Sequence, residues 1–150
     1  MRYFAYGSNM DWTQMRERCP SARFVGIAKL PEHSLVFPRK SIKRGCGVAG
    51  VTEAAGDDVW GVVYEIDNPK DEKTLDRCEG VPKNYRKETR FVYLRSQLEL
   101  PFEVSIYFPI KQDNPPLPNA EYKSLIVGGA KLWQLPTDYI LRLERISVAD

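Results

Sequence analysis

Two stretches of this chain carry residues whose types and spacing suit catalysis. The first is Gly7-Ser8-Asn9, which interrupts an aromatic-rich strand, Tyr3-Phe4-Ala5-Tyr6, just before a helical stretch opening at Asp11. A strand, a glycine turn and a helix start in succession gather unpaired backbone N–H groups at one spot. Such a concavity attracts anions, because the first turn of a helix has free donors and the positive end of its dipole. Gly7 lets a ligand approach the backbone, and Ser8 and Asn9 add short side-chain donors. The same residues also make an ordinary strand-to-helix connection, with Ser8, Asn9 or Asp11 as the cap. The second stretch ends in Glu79. A carboxylate at a helix C-terminus meets negative dipole charge, and burial beside aromatic rings disfavours its ionisation further. Both effects raise its pKa toward the working range of a general base. Taken alone, a glutamate beside a turn is ordinarily solvated.

Other chemistries find little support. The single histidine, His33, and the widely spaced Cys19, Cys46 and Cys78 form no pair at metal-ligand spacing, so no metal site and no cofactor are expected. Ser8 lacks a nucleophile-elbow context and only His33 could serve it as base. A cysteine–histidine pair has no local support, and phosphate-loop and dinucleotide fingerprints are absent. An odd, scattered set of three cysteines argues against a disulfide framework and for a reducing, cytoplasmic setting. A net charge of +2 implies neither a nucleic-acid nor a membrane partner, and no apolar run is long enough to cross a bilayer or to act as a secretory signal. Nothing in the sequence sets an oligomeric state.

The elements that must position these residues can be read in order. At 150 residues, 43% hydrophobic and 28% charged, the chain is expected to be one globular domain over 1–150. After a helix ending near Arg18, strands are expected over Ala22–Leu30 and His33–Phe37, separated by a turn at Pro31-Glu32. Pro38 to Gly47 holds four cations in six residues between Pro and Gly, and reads as a solvated loop. A weaker reading puts this loop beside the site, attracting an acidic part of the substrate. Gly47–Glu53 and Asp58–Ile66 alternate as strands, with Ala54-Ala55-Gly56-Asp57 as a hairpin turn. Asn68 caps a helix with Pro69 at its first position, and Gly80 and Pro82 stop it near Cys78. Strands over Tyr85–Leu94 and Leu100–Phe108 follow. Asn119 caps a helix over Ala120–Lys131, in which Gly128-Gly129 weakens the helix or permits close packing. Pro136 starts a last helix with Ile140, Leu143 and Ile146 on its core face. The pattern is an α+β fold with a mostly antiparallel, barrel-like sheet.

Tyr3-Phe4-Ala5-Tyr6-Gly7-Ser8-Asn9 resembles the N-terminal signature of the γ-glutamylcyclotransferase family, which includes the AIG2-like and BtrG-like proteins. Asp76-Arg77-Cys78-Glu79-Gly80-Val81-Pro82, followed by Tyr85, is similar to that family's segment carrying its catalytic glutamate. Val59-Trp60-Gly61-Val62-Val63-Tyr64 and Gly128-Gly129-Ala130-Lys131 with Leu135-Pro136 are similar too, so the likeness spans nearly the whole chain in order. It implies a small mixed β-barrel with helices around it and over one opening. It implies a cofactor-free enzyme that cyclises the γ-glutamyl group of a small substrate to 5-oxoproline, with Glu79 as general acid and base. Tyr6, Gly7, Ser8, Asn9, Tyr85 and Tyr122 would bind the substrate. For Tyr6 and Tyr122 packing against the sheet is an equally plain reading. The leaving group stays open: a γ-glutamyl amino acid, or a γ-glutamylamine with a lysine side chain or polyamine. A non-catalytic sensor of γ-glutamyl metabolites could use the same pocket.

Overall fold

The structure, a computed structural model, describes residues 1–149. Five strands, β1 (Arg2–Ala5), β2 (Arg23–Ser41), β3 (Cys46–Glu65), β4 (Tyr85–Leu94) and β5 (Phe102–Pro109), close into a barrel in the order β1-β3-β2-β4-β5. All neighbours are antiparallel except β1 and β5, which meet in parallel at Tyr3 and Ser105. Four helices surround it: α1 (Trp12–Arg18), α2 (Pro69–Glu79), α3 (Ala120–Leu132) and α4 (Thr137–Glu144). This is the mixed, mostly antiparallel barrel with flanking helices that the sequence implies. Phe4, Val62, Tyr64 and Ile106 from the strands and Ile126 from α3 are fully buried in one continuous core. None of the helices among the described residues is long and apolar enough to cross a membrane.

The helix starts follow local chemistry. Asp11, Asn68 and Asn119 each accept a hydrogen bond from a first-turn N–H, those of Gln14, Lys70 and Tyr122. At the end of α2, Gly80 adopts the left-handed conformation, φ 72°, and its N–H returns to the helix carbonyls. A side chain there would also meet Asn84, with a Cβ only 2.5 Å from its amide nitrogen. The helix therefore ends on Glu79, one residue beyond the expected limit.

Two expected turns do not reverse the chain. Residues 23–41 form one strand through Pro31-Glu32, and residues 46–65 form one strand through Ala54–Asp57. Pro31 pairs with Asp58 and His33 with Glu53, so Glu32 alone faces four residues of β3. The excess is absorbed as a bulge, where Glu32 is itself left-handed and its carboxylate accepts the Gly56 N–H at 2.9 Å. A glycine turn signal marks a sharp bend in either case; which strand pairs beyond the bend is a tertiary matter. The expected basic loop is likewise shorter. Pairing runs to Ser41 and Cys46, leaving only residues 42–45 as the tip of a long β2–β3 ribbon.

The glycine pair in α3 divides its roles. A Cβ on Gly129 would lie 2.4–2.6 Å from the backbone and Cβ of Met10, whereas one on Gly128 would meet nothing within 4 Å. Gly129→Ala should destabilise by about 1–3 kcal/mol through overpacking, lowering Tm by roughly 3–10 °C for a chain of this size. Gly128→Ala should be neutral or stabilise by up to about 1 kcal/mol through helix propensity. Thermal unfolding followed by circular dichroism separates the two.

Candidate active site

The N-terminal turn, the end of α2 and the tip of the β2–β3 ribbon meet around a cavity of about 300 Å³. Gly7, Ser8 and Asn9 form one wall and Glu79 another, so the two stretches singled out in the sequence share one hollow. Ser8–Met10 make a single 3₁₀ turn. Its carbonyls are tied down from outside: Tyr64 Oη donates to Asn9 O at 2.8 Å and Trp133 Nε1 to Met10 O at 3.0 Å. The N–H groups of Gly7, Ser8 and Asn9 have no acceptor among the described residues. Three donors without acceptors, all in residues that line the cavity, suit a carboxylate or an oxyanion.

The side chains of the turn behave differently from one another. The Asn9 amide is used at both ends: Nδ2 donates to Tyr3 Oη at 3.1 Å, and Oδ1 accepts from Gln14 Nε2 at 2.9 Å and from Arg18 Nη1 at 3.1 Å. Buried as it is, Asn9 shapes the turn through its side chain and offers the cavity its backbone. Ser8 Oγ accepts from Gln14 at 2.9 Å and from Arg44 at 3.4 Å, which leaves its own proton uncommitted. Gln14 also accepts from Arg44 at 2.7 Å, and the Arg44 guanidinium lies 4.9 Å from the centre of the Tyr122 ring. Two arginines are thereby fixed beside the turn without an acid to pair with.

Among the described residues, Glu79 is the one carboxylate lining the cavity. Its surface is open only in part, and protein surrounds the carboxyl group. Desolvation raises its pKa from 4.5 to about 7; Arg18 and Arg44 oppose the rise and Asp76 adds to it. No protein hydrogen bond contributes to that balance. The surrounding tyrosines are held neutral by burial. Tyr6 and Tyr85 are pushed well up, Tyr122 to about 12, with the Glu79 charge reinforcing each rise. Glu79 is thus the acid of this wall whose proton affinity burial brings near neutrality.

The hydroxyls have assigned roles. Tyr6 Oη donates to Tyr107 O at 2.6 Å and Tyr85 Oη to Ala49 O at 3.1 Å, so each presents only lone pairs to the cavity. Tyr122 Oη instead accepts the Ala49 N–H at 2.9 Å, which keeps its own proton free to donate. All seven residues expected from the sequence, Tyr6, Gly7, Ser8, Asn9, Glu79, Tyr85 and Tyr122, line the same cavity. Sequence reasoning missed Gln14 and Arg18. Gln14 and Arg18 stand four residues apart on α1, a spacing that puts both on one helix face above the turn. Arg44 belongs to the basic loop that the weaker reading of the sequence put beside the site, and the cavity lining bears that reading out. His33, bonded to Pro31 O, is not part of the wall. Cys78 lines it but is exposed, while Cys19 and Cys46 are buried elsewhere.

The raised pKa has a consequence for folding that is independent of catalysis. Above about pH 7 Glu79 is ionised in both states and its desolvation opposes folding; below 4.5 it is protonated in both and the penalty vanishes. Glu79→Gln should therefore stabilise the protein at pH 8 by up to about 3 kcal/mol. That gain should fade as pH falls from 7 to 4.5. Urea unfolding at pH 8, 6 and 4 checks it, and a gain equal at all three would exclude a charge effect.

Residues 58–143 match the model of the AIG2-like family. The chain is 33% identical over 152 residues to a γ-glutamylcyclotransferase of Homo sapiens, covering 99% of this chain and 79% of that protein. It is 32% identical over 164 residues to one of Bos taurus, with the same coverages. A solved structure described as γ-glutamyl cyclotransferase superimposes with a TM-score of 0.91 at 30% identity, over 100% of this chain and 89% of the other. With the barrel, the donor-lined turn and the poised glutamate already in place, these likenesses fix the assignment: the chain belongs to the AIG2-like family of γ-glutamylcyclotransferase-like enzymes.

Proposed function

We propose that this enzyme cyclises the γ-glutamyl group of a small γ-glutamyl compound to 5-oxoproline, with Glu79 moving the protons. The observation that carries the reading is the pairing of one carboxylate poised near pH 7 with three unpaired N–H groups across a small cavity. The reaction needs no covalent nucleophile, because the substrate's α-amine attacks its own γ-carbonyl. The enzyme must fold the glutamyl chain into a near-attack shape and manage protons.

The α-ammonium first gives a proton to the Glu79 carboxylate. The freed amine forms the ring C–N bond, and the γ-carbonyl becomes an oxyanion. Glu79 then returns its proton to the departing amide nitrogen as that C–N bond breaks. The ring nitrogen gives up its second proton and the departing amine leaves as an ammonium, so protons balance within the substrate. Tyr6 and Tyr85, with only lone pairs to offer, hold the α-amine near Glu79. The Gly7, Ser8 and Asn9 N–H groups, with the Ser8 and Tyr122 hydroxyls, receive the α-carboxylate and the oxyanion. Arg18 and Arg44 add positive potential on the same side.

With γ-glutamyl-alanine as substrate, 5-oxoproline should form, and kcat/KM should rise with pH to a bend near 7 as Glu79 ionises. Glu79→Gln should lose about 10²–10⁴-fold in kcat, or roughly 3–5 kcal/mol of barrier. Near-normal turnover by this variant would remove Glu79 from the role. Gly7→Val should raise KM, since even a Cβ there sits 3.2 Å from Ala49 Cβ and 3.5 Å from Tyr122 Oη. Parallel loss of Tm and activity would instead make Gly7 a packing residue.

A further inference from the structure

The cavity is charged out of proportion to the molecule. Among the described residues, Arg18, Arg39, Lys40, Lys43, Arg44 and Arg77 line it, against the single carboxylate of Glu79. With Glu79 ionised this is a surplus of five positive charges, six less one. The whole chain carries +2, so everything outside the cavity sums to −3. None of the six cations is in an ion pair among the described residues; those pairs draw on other basic residues.

The cations stand in two tiers. Arg18, Arg39 and Arg44 are half-buried and bonded to neutral oxygens: Asn9, Ile110 with Asn84, and Ser8 with Gln14. Lys40, Lys43 and Arg77 are exposed. Neither lysine ammonium has a hydrogen-bond partner among the described residues, and Arg77 reaches only Thr74 Oγ1 at 3.3 Å. Like charges gathered without counter-charge repel one another in the free protein and attract an anion. A γ-glutamyl group cannot be that anion. It carries one carboxylate and one ammonium, a net charge of zero.

We infer that the leaving half of the substrate is an acidic amino acid or short acidic peptide, recognised by Lys40, Lys43 and Arg77. This rests on the cyclotransferase reading above and names its substrate class. Such a leaving group brings two or more carboxylates to the tier that lacks partners. A polyamine or a lysine side chain would bring positive charge into the same field, so γ-glutamylamines are the disfavoured class.

The test compares γ-glutamyl-glutamate, γ-glutamyl-alanine and γ-glutamyl-putrescine by 5-oxoproline release, at 20 and 300 mM NaCl. Exposed ion pairs contribute roughly 1.4–5-fold each, and the glutamate compound brings one carboxylate more than the alanine one, within reach of two of the three cations, so its kcat/KM should be about 5-fold higher. Putrescine should be slowest. The preference should shrink at high salt, where the screening length drops below about 10 Å. In the double variant Lys40→Gln, Lys43→Gln the glutamate-to-alanine ratio should fall to about 2–3-fold. Equal rates across the three compounds, or a ratio unmoved by the double variant, would overturn the inference. Failure of every compound to yield 5-oxoproline would sink the cyclotransferase reading instead. Calorimetric titration of the same compounds into the wild-type protein then decides recognition, tighter binding of the glutamate compound supporting it and equal affinities overturning it.

Discussion

The site depends on a turn anchored by its carbonyls. Tyr64 and Trp133 hold the oxygens of Asn9 and Met10, and Gly129 lets α3 come against the Met10 backbone. The anchors are themselves braced. Trp12 stacks on Tyr64 with ring centres 5.9 Å apart, and Phe24 stacks on Trp133 at 4.3 Å. Unpaired N–H groups in a shielded place are unfavourable, and a free peptide would relax to satisfy them. Here the barrel and α3 fix the carbonyl side first, and the N–H side has no other conformation to take. The energy of core packing is thereby spent on preorganised donors, the arrangement that stabilises developing negative charge without reorganisation.

Glu79 is balanced against the same network. Burial alone would push its carboxyl higher still, and a close arginine partner would pull it back toward the ordinary carboxylate range. Arg18 and Arg44 approach without bonding it, because their donors go to Asn9, Ser8 and Gln14. Their field holds the rise to about 7. Asp76, one helical turn before Glu79, pushes the other way, its charge shared with Lys87 and with the Tyr107 hydroxyl. The Tyr107 carbonyl in turn receives Tyr6. Helix α2, strand β5 and the first strand are thus joined through polar contacts to the group whose proton affinity they set.

The tyrosines show how one residue type is made to do opposite tasks. Tyr6 and Tyr85 give their protons to backbone carbonyls and become acceptors toward the cavity; Tyr122 takes a backbone proton and becomes a donor. Ala49 is the partner of both Tyr85 and Tyr122, through its carbonyl and its N–H respectively. One peptide position on β3 therefore sets two hydroxyl polarities, and β3 reaches that place because its ribbon with β2 continues past the bulge at Glu32.

The sequence alone determined what is local. The three side-chain helix caps, the Gly80 terminator and the strand-glycine-turn start all follow from steric and hydrogen-bonding rules acting within a few residues. The family resemblance supported the barrel and added Tyr6, Tyr85 and Tyr122 to the residues that share the cavity. Tertiary structure decided what pairing at a distance controls. It ran an expected turn at Pro31-Glu32 and an expected hairpin at Ala54–Asp57 through as single long strands, because β2 and β3 pair with each other along both halves. It turned a solvated basic loop into a cavity wall by extending that ribbon to Ser41 and Cys46. It committed the Asn9 side chain to Tyr3, Gln14 and Arg18, leaving only its backbone for the hollow. Orientation and charge environment depend on partners tens of residues away, and no spacing along the chain encodes them.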